Sequence, residues 1–246
     1  MTIFRADLHI HTVLSPCGDL DMSPVKILNA AVKSGMDIIG ITDHNCTRHC
    51  RLLKKLARKY GIFVLQGAEI TTKEEIHCLV FFEDEKDIKI LQVFLNENLP
   101  EIKNDPVKFG YQVQVDENDL IVYEEEKLLI NALVRSLEEV ESFVHERGGI
   151  FIPAHIDRKK NSILSQLGFL PPDLKVDALE VSRKTKVSAF RRIHPELKRY
   201  KMISSSDAHY LQDIGSCYTL FDMEKISFQE IRMTIAGING RQIFAE

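Results

Sequence analysis

The sequence predicts an α/β fold in which strands alternate with helices around a largely parallel sheet. Three observations support this prediction. Apolar segments of strand length alternate with amphipathic segments of helix length over roughly the first 70 residues, which is typical of parallel sheets with right-handed crossovers. The chain has 246 residues, a common length for a single α/β barrel. Several apolar segments end in His, Asp or Glu, as strands do where their carboxyl ends build a site.

The first predicted strand begins at residue 3 and carries two histidines. Apolar Leu8 and Ile10 alternate with polar Asp7, His9 and His11, a period of two that indicates a strand. Residues two apart point to the same face, so both imidazoles leave one face side by side. Imidazoles placed in this way are natural ligands for a divalent transition metal. A chance His-x-His on a surface strand is also common, so the pair alone does not establish a metal site.

Helix signals divide the next part of the chain. Ser23-Pro24 is typical of a helix N-terminus, and Gly61 of a helix C-terminus. In order, we predict a helix at 24–35, a strand at 37–44, a helix at 47–60 and a strand at 62–70. This order implies parallel strands joined by helical crossovers.

The rhythm breaks at about residues 100–131. Two prolines and a glycine precede a predicted hairpin with strands at 112–115 and 120–123. The apolar content of this segment is too small for an independent core. We therefore expect one domain over residues 1–246 that carries a small β-hairpin insertion.

The other predicted elements resume the alternation. A capping box at Ser136 and Glu139 starts one helix. The strands are at 76–82, 150–157, 177–182, 202–209, 218–221 and 242–243, and the helices are at 87–98, 136–148, 187–199 and from Ser227.

Composition and charge limit the class of protein. The chain is 44% hydrophobic and 28% charged, as in ordinary globular proteins. A net charge of -4 argues against a broad basic surface for long duplex nucleic acid. We expect no signal peptide and no membrane span. Five cysteines, an odd number, favour reduced thiols and a cytoplasmic location.

Residues with metal-ligand chemistry recur at the ends of the apolar strands. They are His44, Glu69, His155, Asp207 and His209. The carboxyl ends of parallel strands meet at one edge of a sheet or barrel, so we expect these side chains to converge. The sequence therefore predicts a polynuclear metal site.

Five ordered motifs resemble those of the polymerase and histidinol phosphatase (PHP) family, and together they extend over nearly the whole chain. They are Asp-Leu-His-Ile-His-Thr at 7–12, Ile-Thr-Asp-His at 41–44, Gly-Ala-Glu at 67–69, Pro-Ala-His at 153–155 and Ser-Asp-Ala-His at 206–209. The resemblance implies a distorted (β/α)7 barrel, phosphoesterase activity, and two or three divalent metal ions, which would be manganese, iron or zinc.

The resemblance also implies a role for each matching residue. Glu69 would bridge two metals, and Glu69, Asp207 and His209 would be the catalytic residues. The implied ligands are His9, His11, Glu69 and Asp207 for the first metal, Glu69, His77 and His155 for the second, and His44, His209 and an acidic residue for the third.

The acidic ligand of the third metal is where this chain departs from the family. Compact members carry Ser-Asp-Gly soon after His-x-His-Thr, whereas this chain reads Ser-Pro-Cys-Gly-Asp at 15–19. We predict that Asp19 is the displaced acid. Asp21 and Cys17 are alternatives, and Asp19 beside a glycine also suits a solvated turn.

Other polar residues near strand ends have less specific signals. Arg158 and Arg183 are predicted to bind substrate, because a guanidinium can clamp a phosphate, and a solvated surface role is the alternative for each. Asp7 and Asp43 are candidates for orienting ligand imidazoles. His49 lies in a predicted helix and is expected at the surface.

The expected function is that of a metal-dependent phosphoesterase. It would hydrolyse a phosphate mono- or diester through a hydroxide that bridges two metals. The expected partner is a small phosphorylated metabolite, a nucleotide or a short oligonucleotide, without long duplex nucleic acid or a membrane. A non-catalytic metal-bound binding or regulatory domain is one alternative. An amidohydrolase-type enzyme is another, although that family usually has a lysine where this chain has Glu69.

Overall fold

A computed structural model of the chain describes residues 1–245, and it contains the predicted alternation of strands and helices. Within those residues the strands are β1 (Thr2–Ile10), β2 (Ile38–Ile41), β3 (Phe63–Thr71), β4 (His77–Phe82), β5 (Val113–Val115), β6 (Ile121–Glu124), β7 (Ile150–Pro153), β8 (Leu179–Ser182), β9 (Met202–Ser205), β10 (Thr219–Met223) and β11 (Gln242–Phe244).

The α-helices lie between these strands. They are α1 (Pro24–Lys33), α2 (Cys50–Ala57), α3 (Glu85–Asn98), α4 (Pro106–Phe109), α5 (Leu137–His145), α6 (Ile163–Leu167), α7 (Val187–Ile193) and α8 (Phe228–Ala236). The helix predicted at 187–199 ends early because Pro195 cannot continue it. None of the described helices has the length and apolarity needed to cross a bilayer.

The main sheet has seven strands in the order β11-β10-β1-β2-β3-β4-β7. Strands β1, β2 and β3 are parallel, whereas β4 is antiparallel to both β3 and β7. The predicted (β/α)7 barrel is therefore not reproduced, and the fold is a curled, mixed α/β sheet. Only residues 72–76 join β3 to β4. This connection is too short for a crossover helix, so β4 must return antiparallel.

Strands β8 and β9 form a separate parallel pair that lies between β7 and the carboxyl end of β1. The amide of Ile156, just after β7, donates to the carbonyl of Glu180 on β8 at 2.8 Å. The amide of Ala208, just after β9, donates to the carbonyl of His9 on β1 at 3.1 Å. These bonds bring the ends of β7, β8, β9 and β1 side by side around one space.

Apolar side chains pack on both faces of the curled sheet. Leu8 and Ile10 belong to different apolar clusters, although a regular strand would place them on one face. The pairing of β1 with β2 shifts register between Asp7 and Ile10, and such a bulge reorients side chains. Gly40 allows this close pairing, because a Cβ there would lie 2.4 Å from the Leu8 carbonyl oxygen.

The predicted hairpin is present as β5 and β6, and it packs beside the start of the chain. Val113 and Val115 form a small apolar cluster with Val13. The amide of Val115 donates to Nε2 of His49 at 2.9 Å, while Nδ1 of His49 lies 2.6 Å from the Thr12 hydroxyl. The expectation that His49 is a surface residue is wrong. Burial lowers its pKa, which suits a neutral ring that accepts from Val115.

Candidate metal centre

Eight of the predicted ligand side chains converge at one edge of the curled sheet. His77 is the first residue of β4 and does not lie at the carboxyl end of its strand. Because β4 runs antiparallel to β3, its first residue lies at the edge where the parallel strands end. The converging residues are His9, His11, His44, Glu69, His77, His155, Asp207 and His209.

Four donors have the spacing of ligands to a single metal. The Nε2 atoms of His9 and His11 are 3.1 Å apart, and each lies 3.3 Å from one oxygen of Glu69. Oδ1 of Asp207 lies 3.4 Å from both imidazoles. Ligands at about 2.0 to 2.1 Å from a tetrahedral ion are separated by about 3.3 Å. The donors therefore fit the first metal site that the resemblance implies.

The Glu69 carboxylate lies at the middle of the cluster. Its Oε1 is 2.9 Å from Nδ1 of His77 and 3.1 Å from Nε2 of His155, and its Oε2 is 3.1 Å from Nδ1 of His44. Burial alone would raise the pKa of Glu69, but the facing imidazoles outweigh burial and hold it well below its usual range. An ionised carboxylate with imidazoles on both oxygens is suited to bridging metals.

Two imidazoles are held neutral. Burial lowers the pKa of His44 well below its usual value. Burial and the facing His11 lower the pKa of His209 to about 4. Metal ligation requires a neutral imidazole with a free lone pair, so both rings are in the form that binds a metal.

Three buried imidazole nitrogens of the cluster have no hydrogen-bond partner among the described residues. They are Nδ1 of His44, Nε2 of His77 and Nδ1 of His155. An unsatisfied buried polar atom costs about 1 to 3 kcal/mol, and an ion or water is one common explanation for it. The orphaned nitrogens and the mixed imidazole and carboxylate donors both fit divalent metal ions.

The loop after β1 does not bring the Asp19 carboxylate to this cluster. Its Oδ1 accepts from the Asp21 amide at 2.8 Å, so Asp19 serves as the turn residue that was its alternative role. The Asp21 carboxylate pairs with Lys26 at 2.5 Å. Cys17 instead has its sulfur within 4.8 Å of ring nitrogens of the nearby histidines. Of the candidates for the position of the acidic ligand, the structure therefore places Cys17, and not Asp19, beside the histidines.

The backbone is strained at two of the converging residues. His155 has a φ of 29° and Asp207 a φ of 50°, and L-residues rarely adopt positive φ. The amide of His155 donates to the Glu180 carboxylate at 3.0 Å, and the Asp207 carboxylate pairs with Arg158. Strain of this kind is often found at functional sites, where surrounding contacts maintain it.

Sequence reasoning missed Glu180. Its carboxylate lies 3.0 Å from Nδ1 of His9 and is almost completely buried on β8. A hydrogen bond at Nδ1 leaves Nε2 free for a metal and orients the ring. The available signal was a carboxylate between apolar Leu179 and Val181 in the middle of a predicted strand, since an unpaired charge is rarely buried.

Asp43 acts on His11 through a serine. Its Oδ1 accepts from the hydroxyl of Ser15 at 2.7 Å, and that hydroxyl lies 3.0 Å from Nδ1 of His11. Asp43 also accepts from the Thr12 amide at 2.7 Å. The predicted orienting role of Asp43 is therefore indirect.

Asp7 does not contact a ligand imidazole through its carboxylate. It accepts from the amides of Ser206 at 3.0 Å and Gly215 at 2.8 Å. Burial raises its pKa to about 6. Asp7 thus organises the loop that carries Asp207 and does not orient a histidine directly.

The two predicted substrate-binding arginines have different surroundings. The guanidinium of Arg158 pairs with Asp207 at the border of the cluster and is 38% exposed. Arg183 pairs instead with Asp213, with an Nη1 to Oδ1 distance of 2.9 Å. The structure therefore brings Arg158, and not Arg183, into contact with a converging residue.

Positive charge is concentrated in one part of the chain. Residues 158–201 contain twelve Lys and Arg against four Asp and Glu, a net charge of +8, while the other 202 residues carry -12. The loops after β7 and β8 are joined by Asp157, which accepts from the Ser182 amide at 2.7 Å. We name their cationic residues the basic rim. They are Arg158, Lys159, Lys160, Arg183, Lys184 and Lys186.

Comparison with known proteins identifies a family. The family model described as PHP domain matches residues 7–158, which is more than half of the chain, and the model described as PHP-associated matches residues 197–236. An uncharacterised protein of Methanocaldococcus jannaschii is 36% identical over 104 residues. That match covers 39% of this chain and 53% of the relative, so the chain spans about half of its length.

Solved structures share the fold at low identity. The lesion-specific endonuclease Q of Pyrococcus furiosus has a TM-score of 0.72 at 20% identity. A complex of endonuclease Q with a 27-mer duplex, which has an abasic lesion at the active site, has a TM-score of 0.73 at 20% identity. Each match covers 98% of this chain and 58% of the endonuclease chain.

One expectation from the sequence must be corrected. A small metabolite, nucleotide or short oligonucleotide was expected, and long duplex nucleic acid was excluded because the net charge is -4. A protein with the same fold holds a 27-mer duplex at its active site, so the exclusion is wrong. Net charge averages over the whole chain, whereas nucleic acid responds to the local electrostatic field. In this chain the positive charges are concentrated in residues 158–201, and the rest of the chain is negatively charged.

Proposed function

Because the chain belongs to the PHP domain family, we propose that it is a metal-dependent phosphoesterase that cleaves phosphodiester bonds in nucleic acid. The observation that carries the proposal is the position of Glu69, whose two carboxylate oxygens face five imidazoles at 2.9 to 3.3 Å. The family match supports the broader class, a hydrolase of phosphate esters. Nucleic acid as the substrate is the specific part of the proposal.

The donor set defines what bound metals contribute. Mixed imidazole and carboxylate ligands suit manganese, iron or zinc, and no thiolate cage among the described residues requires zinc. When bound, such metals supply Lewis acidity to the phosphoryl oxygens and make a water acidic enough to attack near neutral pH.

The chain itself positions the ligands. The Glu180 carboxylate accepts a hydrogen bond from Nδ1–H of His9, and the Ser15 hydroxyl oxygen accepts one from Nδ1–H of His11. Both imidazoles therefore present Nε2 to the shared point between Glu69 and Asp207. Fixing the tautomer and the ring orientation in advance strengthens metal binding.

Arg158 is the residue best placed to hold the substrate phosphate. Its guanidinium reaches the Asp207 carboxylate at the border of the cluster. With Asp207 serving as a metal ligand, its carboxylate would hold Arg158 less strongly, and the guanidinium would be available for a phosphate oxygen. A planar guanidinium matches two phosphate oxygens at once.

The basic rim supports a polymeric substrate. One of its loops follows β7, which ends just before His155, and the other follows β8, which contains Glu180. A small monoester needs only the phosphate at the cluster, whereas a row of exposed cations suits the phosphates on either side of a scissile bond. Endonuclease Q, which has this fold, binds a duplex at its active site, in agreement with such a path.

The test is a panel of labelled substrates on protein reconstituted with each metal, with metal content measured. The panel contains a single strand, a duplex, a duplex with one abasic site and a nucleoside monophosphate. We expect metal-dependent cleavage of at least one oligonucleotide, lost in Glu69→Gln and reduced in Arg158→Ala. Hydrolysis of the monophosphate alone would overturn the nucleic-acid part. A metal-loaded protein that hydrolyses no phosphate ester would overturn the proposal and favour a binding or regulatory role.

A further inference from the structure

We propose that Cys17 is a thiolate ligand of a metal held with His44 and His209, in the position where an acidic ligand was expected. The sulfur of Cys17 and ring nitrogens of His11, His44 and His209 all lie within 4.8 Å of one another. His11 already belongs to the four donors around the first metal position. The ligands specific to this further site are therefore one sulfur and two imidazoles, which leaves room for substrate or water.

A second observation points to a ligand independently of the cysteine. His44 is 3% exposed, and its Nδ1 has no hydrogen-bond partner among the described residues. That nitrogen lies 3.1 Å from Oε2 of Glu69 without hydrogen-bond geometry. His44 and Glu69 are buried, whereas Cys17 is exposed. A cation beside the unpartnered nitrogen of His44 would satisfy it.

The loop holds Cys17 in this place through its own backbone. The Gly18 amide donates to the Ser15 carbonyl at 2.9 Å, and the Asp19 amide donates to the His209 carbonyl at 2.9 Å. A Cβ at Gly18 would lie 2.4 Å from the Thr12 carbonyl oxygen, so only glycine permits this turn. The bond to His209 joins the cysteine loop directly to a residue of the same site.

The insertion supports the same loop from outside. Gly110 lies against Pro16, since a Cβ at Gly110 would be 2.9 Å from the Pro16 carbonyl oxygen. Val13, at the start of the loop, packs on Val113 and Val115 of the hairpin. The position of Cys17 is thus determined by contacts on both sides of the loop.

The ligand type sets which metal the site prefers. Thiolate and imidazole ligands favour zinc and ferrous iron, whereas carboxylate and water ligands suit manganese and magnesium. On binding, the thiol proton of Cys17 passes to solvent and the sulfur lone pair forms the bond to the metal. We therefore expect this site to select zinc or ferrous iron even where the carboxylate-rich first site accepts manganese.

Cobalt(II) provides a direct readout, because a thiolate bound to cobalt gives a near-ultraviolet charge-transfer absorption that imidazole and carboxylate ligands do not give. The full chain is loaded with cobalt, and spectra and metal content are measured for wild type, Cys17→Ser and Cys217→Ser. Cys217 is the matched control, since its sulfur contacts the Ser204 hydroxyl at 3.0 Å and lies outside the site. We expect the absorption in wild type and Cys217→Ser, and its loss in Cys17→Ser.

A second variant tests selectivity. Cys17→Asp should keep the metal but shift the preference of this site from zinc towards manganese by about 10-fold or more. Cys17→Ser should lose about one metal ion per chain or bind it about 100-fold more weakly. Both readouts are independent of catalysis.

The inference rests on the metal-binding part of the proposed function, and the outcomes separate the two. A cobalt-loaded wild type without the charge-transfer absorption would overturn the thiolate ligand and leave the proposed function intact. An absorption that persists in Cys17→Ser would also overturn it. Failure of the wild type to bind any metal would overturn both proposals together.

Discussion

The carboxylate of Glu180 lies 3.0 and 3.2 Å from Nδ1 of His9, although 171 residues separate them in the chain. Both side chains are almost completely buried. The same carboxylate accepts from the amide of His155 at 3.0 Å. One buried acid on β8 therefore positions two residues that face Glu69.

Glu180 should control metal affinity without contacting metal. We expect Glu180→Ala to weaken binding at the first site by about 10- to 100-fold, because the His9 ring loses its orientation and the partner of Nδ1. Glu180→Gln should lie between wild type and alanine. Competition against a coloured chelator measures the affinity, with Glu138→Ala on the exposed side of α5 as the control. Unchanged affinity in Glu180→Ala would contradict the orienting role.

Ser15 and Asp43 should support the position of the His11 ring, and removing each of them should have a different effect. Ser15→Ala removes the partner of Nδ1 and should weaken the first metal by about 10-fold. Asp43→Ala also leaves the Thr12 amide and hydroxyl without this acceptor, so we expect it to lower the free energy of unfolding by about 1 to 3 kcal/mol.

Chelator competition and urea denaturation measure these two effects. Ser205→Ala is the matched control for Ser15→Ala, since the buried Ser205 hydroxyl has no hydrogen-bond partner among the described residues. Equal metal affinities for Ser15→Ala and Ser205→Ala would contradict the proposed contact with His11.

The basic rim should determine affinity for nucleic acid and its dependence on salt. Replacing Lys184 and Lys186 together by Glu should weaken binding of a duplex. It should also reduce the slope of log affinity against log salt by about 0.9 for each phosphate that the rim no longer neutralises. Fluorescence anisotropy over a series of salt concentrations measures both. The same charge change at Lys86 and Lys89, exposed on α3, is the control. If the two double variants have the same slope of log affinity against log salt, the basic rim does not bind the nucleic acid.

His145 should make stability depend on pH at a point away from the metal centre. Nε2 of its ring lies 3.0 Å from Oδ2 of Asp177, and Nδ1 contacts the Glu141 carboxylate. The hydrogen bond to Asp177 outweighs burial and raises the pKa of His145. The group binds its proton more tightly in the folded state. Its contribution is therefore complete below the unfolded pKa of about 6.5 and is lost as pH rises through the folded value.

The half-buried pair should be worth about 1 kcal/mol after solvent screening. We expect His145→Gln to destabilise the protein by this amount at pH 5.5 and by much less at pH 9. Denaturant unfolding of wild type and variant, both kept metal-free, measures the difference. If the difference in free energy of unfolding between wild type and variant does not change with pH, the charged interaction of His145 with Asp177 and Glu141 is contradicted.

Local patterns predicted much of the candidate site, because its residues of metal-ligand type lie at the ends of apolar segments that sequence periodicity reveals. His9, His11, Glu69 and Asp207 were predicted individually and meet at donor spacing in the structure. The hairpin was also predicted, since its alternation and turn residues are local signals. The sequence also predicted the strand that became β4. Its antiparallel direction, which interrupts the expected barrel, depends on its pairing with β3 and β7.

The tertiary structure decided what depends on contacts between distant segments. It assigned Asp19 to a turn and brought Cys17 to the histidines, because loop backbone geometry directs those side chains. It paired Glu180 with His9 across the sheet, which no spacing in the sequence encodes. Residue types and strand ends follow local steric and hydrophobic preferences and can be predicted from sequence. Which side chains meet is set by strand order and loop paths, and these emerge only when the whole chain packs.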